Sequence, residues 1–142
     1  VSILVDASVW SRALRRRAVA ESSTEVRELR TLITEGNALM IGPVRQELLS
    51  GIQRVHQFTE LRRLLRAFPD VTLTTDDYER AAEHFTTCRQ NGVHGSNTDF
   101  LICAVAERLH VPIFTSDDDF NHFAPLLPIR LHRPRFDDGN PE

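Results

Sequence analysis

Lysine is absent: all 17 basic side chains among the 142 residues are arginine. No P-loop is present, and the aspartyl-phosphate phosphatase or receiver-like sites that also place aspartates at strand ends usually pair the phosphate with a lysine, which makes them a poor alternative here. Cysteine is scarce. Cys88 and Cys103 form neither a CxxC pair nor a zinc-like set, so reduced, partly buried thiols are expected. The longest uncharged apolar run, "LICAVA" (101–106), is far too short to span a bilayer. No basic segment followed by a signal-type apolar stretch opens the sequence. A cytoplasmic protein with no membrane association is therefore expected. The six histidines show no HExxH or other ligand spacing, and no GxSxG elbow is present.

What is present describes an ordinary folded chain. Hydrophobic residues make up 41% and charged residues 26%, which argues against wholesale disorder. The length fits one domain that buries roughly two-thirds of its unfolded surface. A net charge of −3 excludes a nucleic-acid binder of the simple, uniformly basic kind. Arginines nevertheless cluster at Arg15, Arg16 and Arg17, and again at Arg62, Arg63 and Arg66.

Periodicity gives an alternating order of strands and helices. "SILV" reads as a strand, followed by a helix carrying Val9, Trp10 and Leu14. A helix over about 24–35 follows, with Val26, Leu29, Leu32 and Ile33 on one face and Gly36 as its stop. "ALMI" reads as a buried strand, and "GPVRQELLSG" as a short helix with Pro43 in its first turn. Helices are expected at about 55–67 and 76–90, separated by a short strand "VTL". The loop "GVHGSN" leads to a helix over about 98–109, then the strand "PIFT", a turn of helix, and an edge strand "IRL". Residues 1–133 then form one domain, and 134–142 a flexible tail. Strands alternating with helices imply an α/β fold, a central mainly parallel sheet covered on both faces.

In such a sheet, functional groups gather at the carboxyl ends of the strands. Asp6 follows "ILV" and Asp117 follows "PIFTS", so the two share an edge. Asp99 starts the helix that precedes the "PIFT" strand, at that same edge, and Glu47 lies early in the helix after "ALMI". Each has a plain alternative: Asp6 as a helix cap, Asp99 completing an S-x-x-D capping pattern with Ser96, Glu47 as a solvent-facing residue. Four carboxylates brought to one edge by separate segments are a poor coincidence. Two carboxylates about 4 Å apart repel by roughly 4 kcal/mol at an effective dielectric near 20. Oxygen-only ligands suit a hard cation such as Mg²⁺ or Mn²⁺. Within "TSDDDF", a helical turn beginning after Asp117 swings Asp118 about 100° toward solvent and Asp119 about 200°.

"LVDASVW", "GPVRQELLSG", "NTDFLICAVA" and "FTSDDDF", in order and approximate spacing, resemble the signature blocks of PIN-domain ribonucleases, especially the VapC-type toxins of bacterial toxin–antitoxin pairs. The resemblance implies a three-layer α/β/α domain and a metal-dependent endoribonuclease that hydrolyses RNA. It makes Asp6, Glu47, Asp99 and Asp117 the acidic quartet that holds Mg²⁺ or Mn²⁺, with Ser8 and Thr115 as nearby hydroxyls and Asp119 as an assisting acid. It further implies a VapB-like antitoxin that inserts a basic side chain among the acids, and a homodimer formed through helices. A non-catalytic interaction module that kept the fold is the competing reading; the intact quartet argues against it.

Overall fold

The structure is a computed structural model, which describes residues 1–15 and 23–135. Of the first arginine cluster, Arg16 and Arg17 lie outside the described residues. The described elements are β1 (Ile3–Val5), α1 (Ala7–Arg15), α2 (Thr24–Thr34), β2 (Ala38–Ile41), α3 (Gly42–Ser50), α4 (Val55–Leu65), β3 (Asp70–Val71), α5 (Thr75–Gln90), α6 (Asn97–Leu109), β4 (Ile113–Phe114) and α7 (Asp119–Phe123). The four strands form a sheet of order β3-β2-β1-β4 in which every pairing is parallel. No described helix is long and apolar enough to cross a membrane.

Sheet order and crossover handedness fix the layers. The chain steps from β1 to β2 to β3 in one direction, then returns past β1 to lay down β4. Right-handed crossovers put α1 to α4 on one face and α5 with α6 on the other. The reversal between β1 and β4 is a topological switch point, where the loops leaving the two strands part and leave a crevice.

The core explains why each element stays. β1 is fully buried, and α6 buries seven consecutive residues, Phe100 to Ala106, as befits a helix enclosed on all sides. Both thiols are buried and unpaired; burial pushes Cys88 and Cys103 above the ordinary thiol range. Four phenylalanine rings join the start of α6 to α7. Phe100 and Phe123 lie 5.0 Å apart between centroids, Phe120 and Phe123 5.1 Å, and Phe85 and Phe100 5.3 Å. These rings set the spacing between the loops that carry Asp99 and Asp117.

Several boundaries depart from the periodicity. The strand expected at "VTL" is Asp70–Val71, because the Thr72 carbonyl accepts from Arg108 Nη2 at 3.0 Å and leaves the ladder. "IRL" contributes a single parallel bridge, Ile113 to Leu131, made by Ile113 N–H to the Arg130 carbonyl and His132 N–H to the Ile113 carbonyl. On α2, Ile33 is 36% exposed while Glu28 is fully buried. His132 Nε2 lies 2.5 Å from Glu28 Oε2, and Arg135 Nε donates to the same carboxylate at 3.1 Å. Arg135 also pairs with Glu35, so a residue assigned to the tail is tied to α2.

A Cβ added at Gly95 falls 2.5 Å from Phe123 Cζ and 3.0 Å from Phe100 Cζ. Both rings are essentially inaccessible and have little room to yield. Gly95→Ala is expected to cost about 1–3 kcal/mol by overpacking, lowering the melting temperature by about 3–9 °C. Thermal melts followed by circular dichroism check this, and an unchanged midpoint means the rings move aside freely.

Candidate metal centre

Asp6 is the last residue before α1 turns away from the sheet. Its N–H donates to the Phe114 carbonyl at 2.9 Å, which ties it to the end of β4, and its carbonyl accepts from Val9 and Trp10. Its side chain is buried and Oδ2 carries most of the bonding. Ser8 Oγ donates to it at 2.8 Å and Thr115 Oγ1 at 2.9 Å. Each hydroxyl in turn accepts from the loop backbone, Ser8 Oγ from Ser116 N–H at 3.0 Å and Thr115 Oγ1 from Asp117 N–H at 2.9 Å. A hydroxyl has one proton. With both protons on Asp6, the 3.2 Å approach of Ser8 Oγ to Thr115 Oγ1 is a contact between acceptors.

The other aspartates repeat the pattern. Asp117 Oδ1 accepts from Asp119 N–H at 2.9 Å, starting α7. Asp99 Oδ2 accepts from Ser96 N–H at 3.0 Å while Ser96 Oγ accepts from Asp99 N–H, a reciprocal capping box at the start of α6. In each of the three, one oxygen is held and the other has no hydrogen bond from a described residue. For Asp6 that second oxygen is reachable from solvent, because Trp10 Nε1 is the sole enclosed, unpartnered side-chain polar atom among the described residues.

Electrostatics show that the carboxylates feel one another. Burial, together with the charges of Asp6 and Asp117, pushes the Asp99 carboxyl up to about 6 against the pull of its Ser96 bonds. Burial and the same two charges raise exposed Glu47. Asp6 and Asp117, at the ends of β1 and β4, therefore act on both Asp99 and Glu47. They are not drawn tight: among the described residues no three His, Cys, Asp or Glu groups stand close enough to chelate an ion as placed. Asp118 and Asp119 are exposed; Asp118 accepts from Asn121 Nδ2, and Asp119 contributes its backbone N–H. Neither is among the charges raising Asp99 or Glu47. The sequence reading did not anticipate Ser116, whose part is a backbone N–H and which carries no residue-type signal.

A parallel sheet of this order with acidic side chains at its switch point is the architecture of a known class: the chain belongs to the PIN-domain family, whose pattern matches residues 3–125. More particularly, it is 32% identical over 132 residues to the VapC ribonuclease Mb1587 of Mycobacterium bovis and to ribonuclease VapC11 of Mycobacterium tuberculosis. Those alignments cover 90% of this chain and 96% of each relative. Among solved structures, FitAcB from Neisseria gonorrhoeae superposes with a TM-score of 0.71 at 19% identity, covering 93% of this chain and 97% of that one. VapBC2 from Rickettsia felis, solved bound to a promoter DNA fragment, gives 0.70 at 16%, covering 93% and 98%. At these identities the structural likeness is one of fold.

The Asp99 shift has a sign that can be measured. Its ordinary value is 3.8 and its folded value about 6. Between them the unfolded chain has lost the proton that the folded chain keeps, so stability falls as pH rises through that window. With EDTA present, Asp99→Asn keeps the cap and removes this penalty. Its melting temperature relative to wild type is expected to rise by a few degrees from pH 4 to pH 7. An identical difference at both pH values would mean that Asp99 titrates as an ordinary surface carboxyl.

Proposed function

We propose that this chain is a metal-dependent endoribonuclease that hydrolyses RNA phosphodiester bonds, acting as the toxin of a type II toxin–antitoxin pair. The observation that carries the reading is the division of labour within each aspartate, one oxygen locked by protein donors and the other left over, at three points of a shared field. The relatives at 32% identity are named ribonucleases, which supports the reaction class. Neighbours of the same fold were solved with toxin–antitoxin partners, such as VapBC-1 from nontypeable Haemophilus influenzae and a complex from Klebsiella pneumoniae, which supports a VapB-like antitoxin as partner. A homodimer and a cytoplasmic location belong to the same proposal.

Mg²⁺, with Mn²⁺ as substitute, fits the donor set, which is all hard oxygen. Asp6, Asp99, Asp117 and Glu47 would hold it. When bound, such a cation neutralises charge on the phosphate and supplies a more acidic water. The chain's own groups prepare for that charge. Ser8 and Thr115 fix Asp6 in place by two hydroxyl hydrogen bonds to Oδ2. The capping box holds Asp99 in one orientation, and the α7 turn does the same for Asp117. A proton near pH 6 on Asp99 and a divalent cation answer the same electrostatic demand, so raising Asp99 and binding a cation are two expressions of one cluster. Glu47, exposed and without a hydrogen bond among the described residues, is the carboxylate freest to move toward an arriving ion.

RNA cleavage by the chain freed of its partner protein, with Mg²⁺ added, tests the reading. Loss of the partners around a ligand already costs 10–100-fold in metal affinity or activity, so Asp117→Asn and Asp99→Asn are expected to lose more than about 100-fold with circular dichroism unchanged. Asp119→Asn should lose less, and Asp118→Asn hardly anything. Were Asp118→Asn the most damaging, the quartet would need reassignment. No metal-dependent cleavage of any RNA would reject the endoribonuclease reading outright.

Ser8 offers a second handle on the same site. Ser8→Ala removes one of the two hydroxyl protons on Asp6 Oδ2 and strands the Ser116 N–H. Its affinity for Mn²⁺, followed by electron paramagnetic resonance of the free ion, is expected to drop by about 10–100-fold. Wild-type affinity would leave Ser8 without a part in holding Asp6.

A further inference from the structure

The proposed site presents a difficulty for its own substrate. Four carboxylates repel a phosphate chain, and the molecule as a whole carries a charge of −3. Long-range attraction for a polyanion must come from a different surface, one where positive charge is not already cancelled.

Five arginines are already cancelled by carboxylates. Arg12 pairs with Glu25, Arg45 with Asp70, Arg80 with Glu83 and Glu107, Arg108 with Asp77, and Arg135 with Glu28 and Glu35. Of the other described arginines, Arg62, Arg63 and Arg66 are the ones that line one cleft together. All three are exposed, and among the described residues no carboxylate lies within ion-pair distance of any of them. With Thr59 they line a cleft of about 180 Å³. At 100° per residue, positions 59, 62, 63 and 66 fall within an arc of about 100° on one face of α4 and its C-terminal cap. Glu60, the acid on this helix, points outside that arc. Like charges at i,i+3 and i,i+4 repel, and the negative end of the helix dipole offsets this only in part.

The patch is also held in place. Arg62 sits 5.7 Å over the Phe58 ring. The end of α4 is gripped by Arg45 of α3, which donates to the Leu65 carbonyl at 2.9 Å and to the Phe68 carbonyl. Glu47 lies two residues further along α3, so this one helix carries both a carboxylate that feels Asp6 and Asp117 and the side chain that ties down the end of α4.

We infer that Thr59, Arg62, Arg63 and Arg66 form a docking surface for the phosphate backbone of single-stranded RNA, placing the strand across α3 and into the carboxylate site. The inference rests on the endoribonuclease reading above. Guanidinium forks match phosphate oxygens, and a face spanning about 10 Å of helix axis meets a few successive phosphates.

The test measures binding of a fluorescein-labelled oligouridylate by anisotropy, in EDTA so that no cleavage intervenes, over a series of salt concentrations. For R62Q/R63Q/R66Q, the slope of log affinity against log salt is expected to flatten by about 0.7 for each phosphate that is no longer neutralised, about 2 in all. The triple lysine variant keeps the charge and should retain most of the wild-type slope, separating charge from any change in folding. With Mg²⁺, the glutamine variant should show a raised KM on long RNA and an unchanged rate on a uridine dinucleotide too short to reach α4. An unchanged salt slope overturns the proposal, as does loss of binding to the antitoxin with RNA binding intact, which would assign the face to a protein. Absence of cleavage by wild type would remove the catalytic reading, and the slopes measured in EDTA would still decide the docking surface.

Discussion

Mutual repulsion among carboxylates at the β1/β4 switch point is the constraint around which the site is organised. Burial, with the charges of Asp6 and Asp117 added to it, raises both Asp99 and Glu47. The structure meets the cost locally. Ser8 and Thr115 place two hydroxyl protons on Asp6, and the backbone N–H groups of Ser96 and Asp119 are spent on Asp99 and Asp117. One oxygen per aspartate is stabilised and immobilised, and the proposed function gives the other to a cation.

Such a cluster holds its geometry only if the loops bearing it cannot relax apart. The phenylalanine group linking α5, α6 and α7 supplies that stiffness next to Asp99 and Asp117. On the opposite side, fully buried Glu28 draws His132 and Arg135 onto α2, fixing the segment that follows the single bridge to β4. A buried carboxylate is tolerable only when paired and hydrogen-bonded. The segment carrying both partners is therefore fastened by the same charge it neutralises.

Charge is partitioned across the molecule as well as within the site. Acid gathers at the strand ends, while guanidinium groups with no carboxylate within ion-pair distance among the described residues gather at the end of α4, which Arg45 of α3 ties down. In the proposed function, a chain of negative net charge engages a polyanion through a local surface while keeping an acidic centre for the chemistry.

Much of this was legible in the sequence, because it is carried by local signals. The strand–helix alternation, Pro43 at the start of α3, the S-x-x-D cap at Asp99 and carboxylates directly after "ILV" and "PIFTS" each depend on neighbours a few residues away. Parallel-sheet topology then brings the strand ends to one edge, and the match to the PIN-domain family over residues 3–125 agrees with that order. Tertiary structure decided what depends on distant partners. Glu28 and Ile33 exchange the burial that helical period assigns them, because His132 and Arg135 arrive from about a hundred residues away to satisfy a charge. Thr72 leaves the β3 ladder for Arg108, and "IRL" pairs through one residue. Within "TSDDDF" three identical side chains are indistinguishable in sequence. Only the end of β4, with Thr115 bonded to Asp6 and Asp117 starting the α7 turn, turns one of them inward and leaves the other two in water.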